Sequence, residues 1–192
     1  MLLASRSPQR RTILAQLGIP FRTVPSAHVE ETVPGDPVAT AERNARGKAL
    51  EIASRAVAAA DETIIGVDTV VVLGDDVLGK AVDERQAREY LRRLSGRTHE
   101  VVSGLYAVQG DRAAGGHAVT AVTFRVLAAD VVERYLRSLE WRERAGAYAI
   151  QGFGSALVQG VRGDYFNVVG LPVALLATTL EELGVATLDW LG

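Results

Sequence analysis

Two extended runs with a short connection between them constrain the fold of this chain more than any other feature. The runs cover residues 100–109 and 117–127, and the polar residues 110–116 between them are rich in glycine. Strands joined so closely must pair antiparallel, because a parallel pair needs a crossover of a dozen residues or more. We therefore do not expect a purely parallel sheet.

Helical patterns alternate with the extended segments along the rest of the chain. Strands are predicted at residues 1–4, 63–73 and 77–78, and short strands within the glycine-rich segment 146–170. N-cap and proline signals place five helices between them. They begin at Ser7-Pro8, at Asp36-Pro37 with an end near Ala60, at Asp83, at Asp130 with an end at Leu139, and at Pro172 with an end at Gly184. Helices that alternate with both crossover-linked and hairpin-linked strands predict an α/β fold on a mixed sheet with flanking helices.

Length and composition predict one globular unit. The chain has 192 residues, of which 48% are hydrophobic and 23% charged, so it can bury a substantial core. No linker or low-complexity tract divides it. We expect a single domain over residues 1–192, with room for two closely joined lobes.

Several classes of function are disfavoured by what the sequence lacks. Without cysteine there are no disulfides, thiol nucleophiles or iron–sulfur clusters, so a metal must bind oxygen or imidazole ligands. A net charge of -2 argues against a nucleic-acid partner. No apolar run reaches the ~20 residues of a membrane span, and the start does not resemble a signal peptide, so no membrane association and a cytoplasmic location are expected.

The strongest chemical signal is a carboxylate in an apolar strand. Asp68 interrupts the run Ile64-Ile65-Gly66-Val67-Asp68-Thr69-Val70-Val71-Val72. An ionised, buried and unpartnered carboxylate is prohibitively costly, so Asp68 must be paired, metal-bound or open to a cleft. A structural ion pair or an edge position is the alternative to a functional site.

Weaker signals lie near the amino terminus. Ser5, Ser7 and Arg10 stand where a strand runs into a helix, and the N–H groups of a helix start attract anions, although an ordinary Ser-Pro cap explains the same residues. Glu30 and Glu31 in a loop could supply a carboxylate for a hard cation, or be merely solvated. His28, His99 and His117 show no metal spacing and are interpreted as structural or surface residues.

Taken together, seven segments in order resemble the Maf family of nucleoside triphosphate pyrophosphatases. They are Leu3-Ala4-Ser5-Arg6-Ser7-Pro8, Arg43-Asn44-Ala45-Arg46-Gly47-Lys48-Ala49, Gly66-Val67-Asp68-Thr69-Val70-Val71, Leu78-Gly79-Lys80, Leu94-Ser95-Gly96-Arg97-Thr98-His99, Ala145-Gly146-Ala147-Tyr148-Ala149-Ile150-Gln151-Gly152 and Asn167-Val168-Val169-Gly170-Leu171-Pro172. The resemblance implies two lobes around a central cleft, a fold similar to that of inosine triphosphate pyrophosphatases. It also implies hydrolysis of a nucleoside triphosphate between the α and β phosphates, with Mg²⁺ or Mn²⁺, and a possible homodimer.

The resemblance also implies roles for individual residues. Asp68 is the catalytic carboxylate, as general base or metal ligand. Glu31, or Glu30 if an insertion shifts the loop, is the second metal ligand. Ser5, Ser7, Arg10, Lys48 and Lys80 face the phosphates, and Gln151 and Thr69 select the base. Four departures from the family pattern stand at Gln9, where arginine is usual, at Thr12, where glutamate is usual, at Ala81, and at Glu143-Arg144.

The stretch Ala147-Tyr148-Ala149-Ile150-Gln151-Gly152 is similar to the family branch that acts on dTTP and UTP. The amide of Gln151 has both a donor and an acceptor for the N3–H and a carbonyl of uracil or thymine. Two alternatives stay open: a house-cleaning pyrophosphatase for modified nucleotides, and a regulator of cell division that binds nucleotides without turnover.

The imbalance between the two basic residue types is also informative. The chain has 19 arginines but only two lysines, and both, Lys48 and Lys80, lie in motifs that the resemblance assigns to phosphates. An ammonium group is compact whereas a guanidinium group is a wide fork, so a crowded triphosphate site would favour lysine.

Overall fold

A computed structural model describes residues 1–55, 57–59 and 61–185. Its seven strands form one mixed sheet with helices on both faces, as the sequence predicts. The elements, in chain order, are β1 (Leu2–Leu3), α1 (Pro8–Gln16), β2 (Arg22–Thr23), α2 (Pro37–Ser54), β3 (Ile64–Leu73), β4 (Asp76–Leu78), α3 (Glu84–Leu94), β5 (Thr98–Gln109), β6 (Arg112–Phe124), α4 (Ala129–Arg137), a 3-10 helix (Gly152–Leu157), β7 (Val158–Arg162), α5 (Tyr165–Val169) and α6 (Val173–Glu182). The predicted single domain over 1–192 extends past the described residues, and its division into lobes stays a prediction.

The sheet combines parallel and antiparallel pairing around β3. Its order is β2-β1-β3-β5-β6-β7, and β4 also pairs with β3. β1 pairs parallel with β2 and β3, whereas all other pairs are antiparallel. The central strand β3 is covered on both faces, which explains why its sequence is an almost continuous apolar run.

The main core lies on one face of the sheet and helix α2 on the other. Large buried side chains from α1, α3, α4 and α6 pack against the first face, among them Ile13, Leu14, Leu91, Leu136 and Leu180. Helix α2 covers the second face with small buried residues, Ala41, Ala45 and Ala49. Because successive side chains of a strand point to opposite faces, Asp68 faces helix α2 and Thr69 faces the main core.

Glycines let helix α2 approach the sheet very closely. A Cβ at Gly66 would lie 2.0 Å from the carbonyl oxygen of Ala45, and a Cβ at Gly104 would lie 2.3 Å from that of Ala41. Gly104 pairs directly with Asp68 across β3 and β5. The backbone of α2 therefore rests on the sheet beside Asp68.

Helix α2, strand β6 and helix α4 each had at least one predicted boundary that was wrong. Helix α2 ends at Ser54, with Arg55 as its C-cap, instead of near Ala60: Ile52 is its last fully buried residue, and packing rather than propensity sustains a helix. Ala56 and Ala60, which the prediction included, lie outside the described residues. Strand β6 begins at Arg112 instead of residue 117, because the run 112–116, interpreted as a turn, pairs in register with β5.

The third error concerns helix α4. Its N-cap is Ala128, with no side-chain hydrogen bond, and it ends at Arg137 rather than Leu139. Asp130 instead lies in the first turn, where its carboxylate pairs with Arg134 at 3.2 Å. The segment 146–170 contains only one strand, β7, together with the 3-10 helix and α5.

Other local predictions were confirmed. The Ser7 side chain caps α1 and Pro8 is its first residue, while Asp83 caps α3 by accepting a hydrogen bond from the N–H of Gln86 at 2.7 Å. Within the described part of the chain, no helix combines the length and apolar character needed to cross a bilayer.

Candidate active site

One cleft contains every residue that the sequence singled out as a site residue. Its volume is about 960 Å³, and its walls come from the start of α1, the loop before α2, helix α2, strand β3 and the segments 142–151 and 168–170. The predicted residues that line it are Ser5, Ser7, Arg10, Glu30, Glu31, Lys48, Asp68, Thr69, Lys80 and Gln151. Residues far apart in the chain are thus brought to one concave surface.

Asp68 is buried at the floor of the cleft with both carboxylate oxygens engaged. The ammonium of Lys48 donates to Oδ1 at 2.6 Å, and the amide of Asn44 donates to Oδ2 at 3.1 Å. Lys48 and Asn44 stand one turn apart on α2, and only 8% of the Asp68 side chain is exposed. The carboxylate is therefore charge-compensated and fixed in orientation at the edge of solvent.

The loop glutamates are held differently from each other. The carboxylate of Glu30 contacts the ammonium of Lys48 through Oε1 at 2.6 Å. Glu31 lines the cleft and is held through its backbone: its N–H donates to Oδ1 of Asn44 at 2.9 Å, and its carbonyl accepts from Nδ2 of Asn44 at 3.0 Å. Lys48 thus lies between the carboxylates of Asp68 and Glu30.

Arg10 is a buried cation that connects three walls of the cleft. Its Nε donates to the carbonyl of Gly170 at 2.8 Å, Nη1 to the hydroxyl of Ser5 at 3.1 Å, and Nη2 to the hydroxyl of Thr69 at 3.2 Å. Burial lowers the pKa of Arg10, and the nearby charges of Asp68 and Glu30 oppose that shift. Because guanidinium has five N–H donors, two remain for a ligand.

The start of α1 serves as both cap and cleft wall. The hydroxyl of Ser7 accepts a hydrogen bond from the N–H of Arg10 at 3.4 Å and donates to Oε1 of Gln9 at 2.9 Å. The hydroxyl of Ser5 accepts from the N–H of Ser7 at 3.1 Å. The ordinary capping interpretation is therefore correct for Ser7, while the helix terminus also faces the cleft.

Lys80 and Gln151 lie on more open parts of the cleft. Lys80 is 58% exposed, pairs with Glu143 at 3.2 Å, and forms an isolated backbone bridge with Ala145. Gln151 is exposed just before the 3-10 helix. The two lysines thus occupy unlike environments although their motifs look similar.

Sequence reasoning missed the roles of Asn44 and Arg144. Asn44 orients Asp68 and holds the backbone of Glu31. Its position four residues before Lys48 places both side chains on one face of the helix, and this spacing could have indicated that Asn44 belongs to the site. Arg144 lines the cleft, and burial lowers its pKa.

The donor set suits a hard divalent cation. Magnesium typically takes one or two carboxylates and completes its octahedron with phosphate oxygens and water. The carboxylates of Asp68 and Glu30 converge on the ammonium of Lys48, so both can reach one site, with Glu31 at the same edge. Among the residues that the structure describes, there is no cluster of three or more His, Cys, Asp or Glu side chains.

The three histidines differ in burial. His28 lines the cleft beside Gly47, and His117 pairs with Glu42 at 2.8 Å on the surface. His99 is 2% exposed, and its Nε2 and the hydroxyl of Tyr148 are hydrogen-bonded at 2.8 Å. Burial lowers the pKa of His99 from 6.5 to about 4.

We expect His99 to make stability depend on pH below neutrality. Between pH 6.5 and about 4 the unfolded chain binds a proton on this histidine that the folded protein does not, so the free energy of unfolding falls as the pH falls. The His99→Gln variant keeps a hydrogen-bonding side chain that does not titrate. It should therefore show a decline in the free energy of unfolding that is smaller by about 3 kcal/mol over this pH range. Urea unfolding across the range measures it, with His117→Gln as the exposed control. Parallel pH curves for wild type and His99→Gln would contradict the prediction.

Comparisons with known proteins agree over nearly the whole chain. The family model described as Maf-like protein matches residues 1–183. The dTTP/UTP pyrophosphatase of Moorella thermoacetica is 47% identical over 190 residues, which cover 96% of this chain and 95% of the relative. That of Pyrococcus furiosus is 41% identical over 181 residues, 94% of each chain. That of Deinococcus radiodurans is 42% identical over 186 residues, 97% of this chain and 94% of the relative.

Proposed function

Because this chain belongs to the Maf family, we propose that it hydrolyses nucleoside triphosphates, foremost dTTP and UTP, to the monophosphate and pyrophosphate. The observation that carries the proposal is the buried Asp68, which has both oxygens held by Lys48 and Asn44 at the floor of a cleft large enough for a nucleotide. The family relatives with that activity align along nearly their whole length.

In the proposed reaction, different residues of the cleft activate water and stabilise the leaving group. Asp68 accepts a proton from the water that attacks the α-phosphorus, or would hold a divalent cation, which would activate water. Lys48, Lys80 and the free N–H groups of Arg10 stabilise negative charge on the pyrophosphate leaving group. The N–H groups at the start of α1 add a fixed positive dipole at the same wall.

A divalent cation, Mg²⁺ or Mn²⁺, is part of the proposal. Asp68 and one loop glutamate would hold it, and the contact between Glu30 and Lys48 favours Glu30 over Glu31 as that residue. When bound, such a cation neutralises the triphosphate and polarises phosphoryl oxygens. Lys48 supplies positive charge to both of these carboxylates.

Base selection is proposed to rest on Gln151 and Thr69. The exposed amide of Gln151 can pair with the N3–H and a carbonyl of uracil or thymine, whereas cytosine has the reverse order of donor and acceptor and would need the amide in the flipped orientation. The hydroxyl of Thr69 is held by Arg10 and by Ser103, at 2.8 Å from the latter, which links base selection to the phosphate wall.

A single product assay tests the proposed function. Purified protein with Mg²⁺ and dTTP should release pyrophosphate and monophosphate in equal amounts. Orthophosphate in place of pyrophosphate would overturn the cleavage position, and binding without any product would instead favour the nucleotide-binding regulator. Comparison of dTTP and UTP with their modified forms and 7-methyl-GTP distinguishes the house-cleaning alternative, and equal rates on all would refute selection by Gln151.

We expect the two lysines to respond differently to arginine. Lys48 is buried and contacts two carboxylates at 2.6 Å each, a geometry that suits a compact ammonium better than a wide guanidinium, so Lys48→Arg should lower kcat/KM for dTTP at least about tenfold. Lys80 is 58% exposed, so Lys80→Arg should stay within about twofold of wild type. Full activity in both variants would show that charge alone suffices.

A further inference from the structure

The segment that presents Gln151 is tied to the chain just after helix α4. Glu140 lies three residues beyond the end of α4, and its Oε1 accepts a hydrogen bond from the N–H of Phe153 at 3.0 Å. Its Oε2 accepts from the N–H of Gly154 at 3.0 Å. One carboxylate therefore satisfies two N–H groups at the start of the 3-10 helix, which is the task of a helix cap.

This external cap leaves the side chain of Gln151 free. Gln151 occupies the N-cap position of the 3-10 helix, yet its side chain makes no capping hydrogen bond. An N-cap side chain normally turns back to the N–H groups of its own helix. Since Glu140 already binds them, the amide of Gln151 can face the cleft that it lines.

The backbone on both sides of Gln151 has little freedom to shift. A Cβ at Gly152, whose φ is 66°, would lie 2.3 Å from Oε1 of Glu140, so the carboxylate packs directly against the glycine. On the other side of Gln151, the N–H of Ala149 donates to the hydroxyl of Tyr135 at 2.9 Å. Both anchors come from α4 or the residues just after it.

The backbone conformation of Leu139, the residue before Glu140, also indicates that Glu140 is held in a defined position. Leu139 has a φ of 60°, a left-handed backbone conformation that residues other than glycine rarely adopt. Such strain persists only where the surrounding contacts over-determine it, and it concentrates at functional sites. Here it redirects the chain at the end of α4 and places Glu140 under the 3-10 helix.

We propose that Glu140 is a positioning residue for base selectivity, acting through Gln151 by fixing the backbone that presents its amide. The inference rests on the proposed function in so far as Gln151 contacts the base. Without the carboxylate, the N–H groups of Phe153 and Gly154 lose their acceptor, and the amide of Gln151 no longer has a fixed place relative to the phosphate wall. Discrimination between bases then suffers more than phosphate binding does.

The test is a double-mutant cycle read as the ratio of kcat/KM for UTP to that for CTP. Glu140→Ala should lower this ratio on the order of tenfold, mainly through the KM for UTP. The same change in the Gln151→Ala background should leave the ratio unaltered, because no amide remains to be positioned. An effect that persists in that background would assign Glu140 a merely structural role and overturn the proposal, as would an unchanged ratio in Glu140→Ala itself.

Two further variants keep the result decisive. Glu140→Gln retains one acceptor oxygen and should give an intermediate ratio if Glu140→Ala does not fold, whereas a wild-type ratio would count against the proposal. Glu133→Gln removes a carboxylate of α4 that pairs with Arg88, and it should leave the ratio unchanged. If wild type releases no pyrophosphate from UTP, the proposed function fails, and the relative affinities of non-hydrolysable UTP and CTP analogues then decide the role of Glu140.

Discussion

The Asp68→Asn variant should lose nearly all pyrophosphate release from dTTP. Loss of general-base help typically costs ~10²–10⁴-fold, and loss of a metal ligand costs at least as much, so both roles predict the same outcome. The substitution preserves the size and shape of the side chain, and its single carbonyl oxygen can accept from Asn44 or from Lys48 but not from both.

Single-turnover measurement, with enzyme in saturating excess over dTTP, checks this prediction without interference from substrate affinity. The matched control is Asp76→Asn, which removes a carboxylate at the surface end of the same β3–β4 hairpin, where it pairs with Arg93. That variant should behave as wild type. If Asp68→Asn retained more than a tenth of the wild-type rate, Asp68 could not be the catalytic carboxylate.

The second large effect is on stability, in Lys48→Met. Removal of one partner from a buried ion pair leaves a poorly compensated charge, and here Asp68 would keep the hydrogen bond from the neutral amide of Asn44 and the more distant charge of Arg10. The free energy of unfolding should fall by about 3 kcal/mol, and turnover should fall with it. Urea unfolding at neutral pH measures the first effect.

Two comparisons separate burial from charge in this result. Lys80→Met removes the only other lysine, whose exposed pair with Glu143 should contribute no more than about 1 kcal/mol. The double variant Asp68→Asn with Lys48→Met should regain most of the lost stability but no activity. If Lys48→Met were as stable as Lys80→Met, the Asp68 environment would be far more hydrated than its burial indicates.

Prediction from sequence succeeded where a local pattern carries the physical cause. A carboxylate inside an apolar strand requires compensation wherever the strand lies. That Asp68 needs a partner could therefore be predicted without a structure, and the structure pairs it with Lys48. The mixed sheet followed from the short connection between β5 and β6, and it was confirmed even though the connection proved shorter than expected. Family membership was confirmed by matches that span nearly the whole chain.

Prediction failed where tertiary packing decides. The end of helix α2 follows the end of its buried stripe, whose last member is Ile52, and not the helix propensity of the alanines that follow. The contrast between Lys48 and Lys80 depends on burial, which their similar Gly-Lys motifs do not encode. The role of Glu140 depends on contacts with residues 13 and 14 positions later, across an irregular segment that has no periodic pattern.

The two glycines under helix α2 make the geometry of the active site depend on positions with no chemistry of their own. Gly66 and Gly104 each leave room for only a hydrogen atom against the backbone of α2, and that helix carries both groups that hold Asp68. A single added methyl group would raise the helix and draw Asn44 and Lys48 away from the carboxylate. Such a protein would contain every reactive group and still be inactive, so a screen for lost function would recover these glycines alongside the residues that touch the nucleotide.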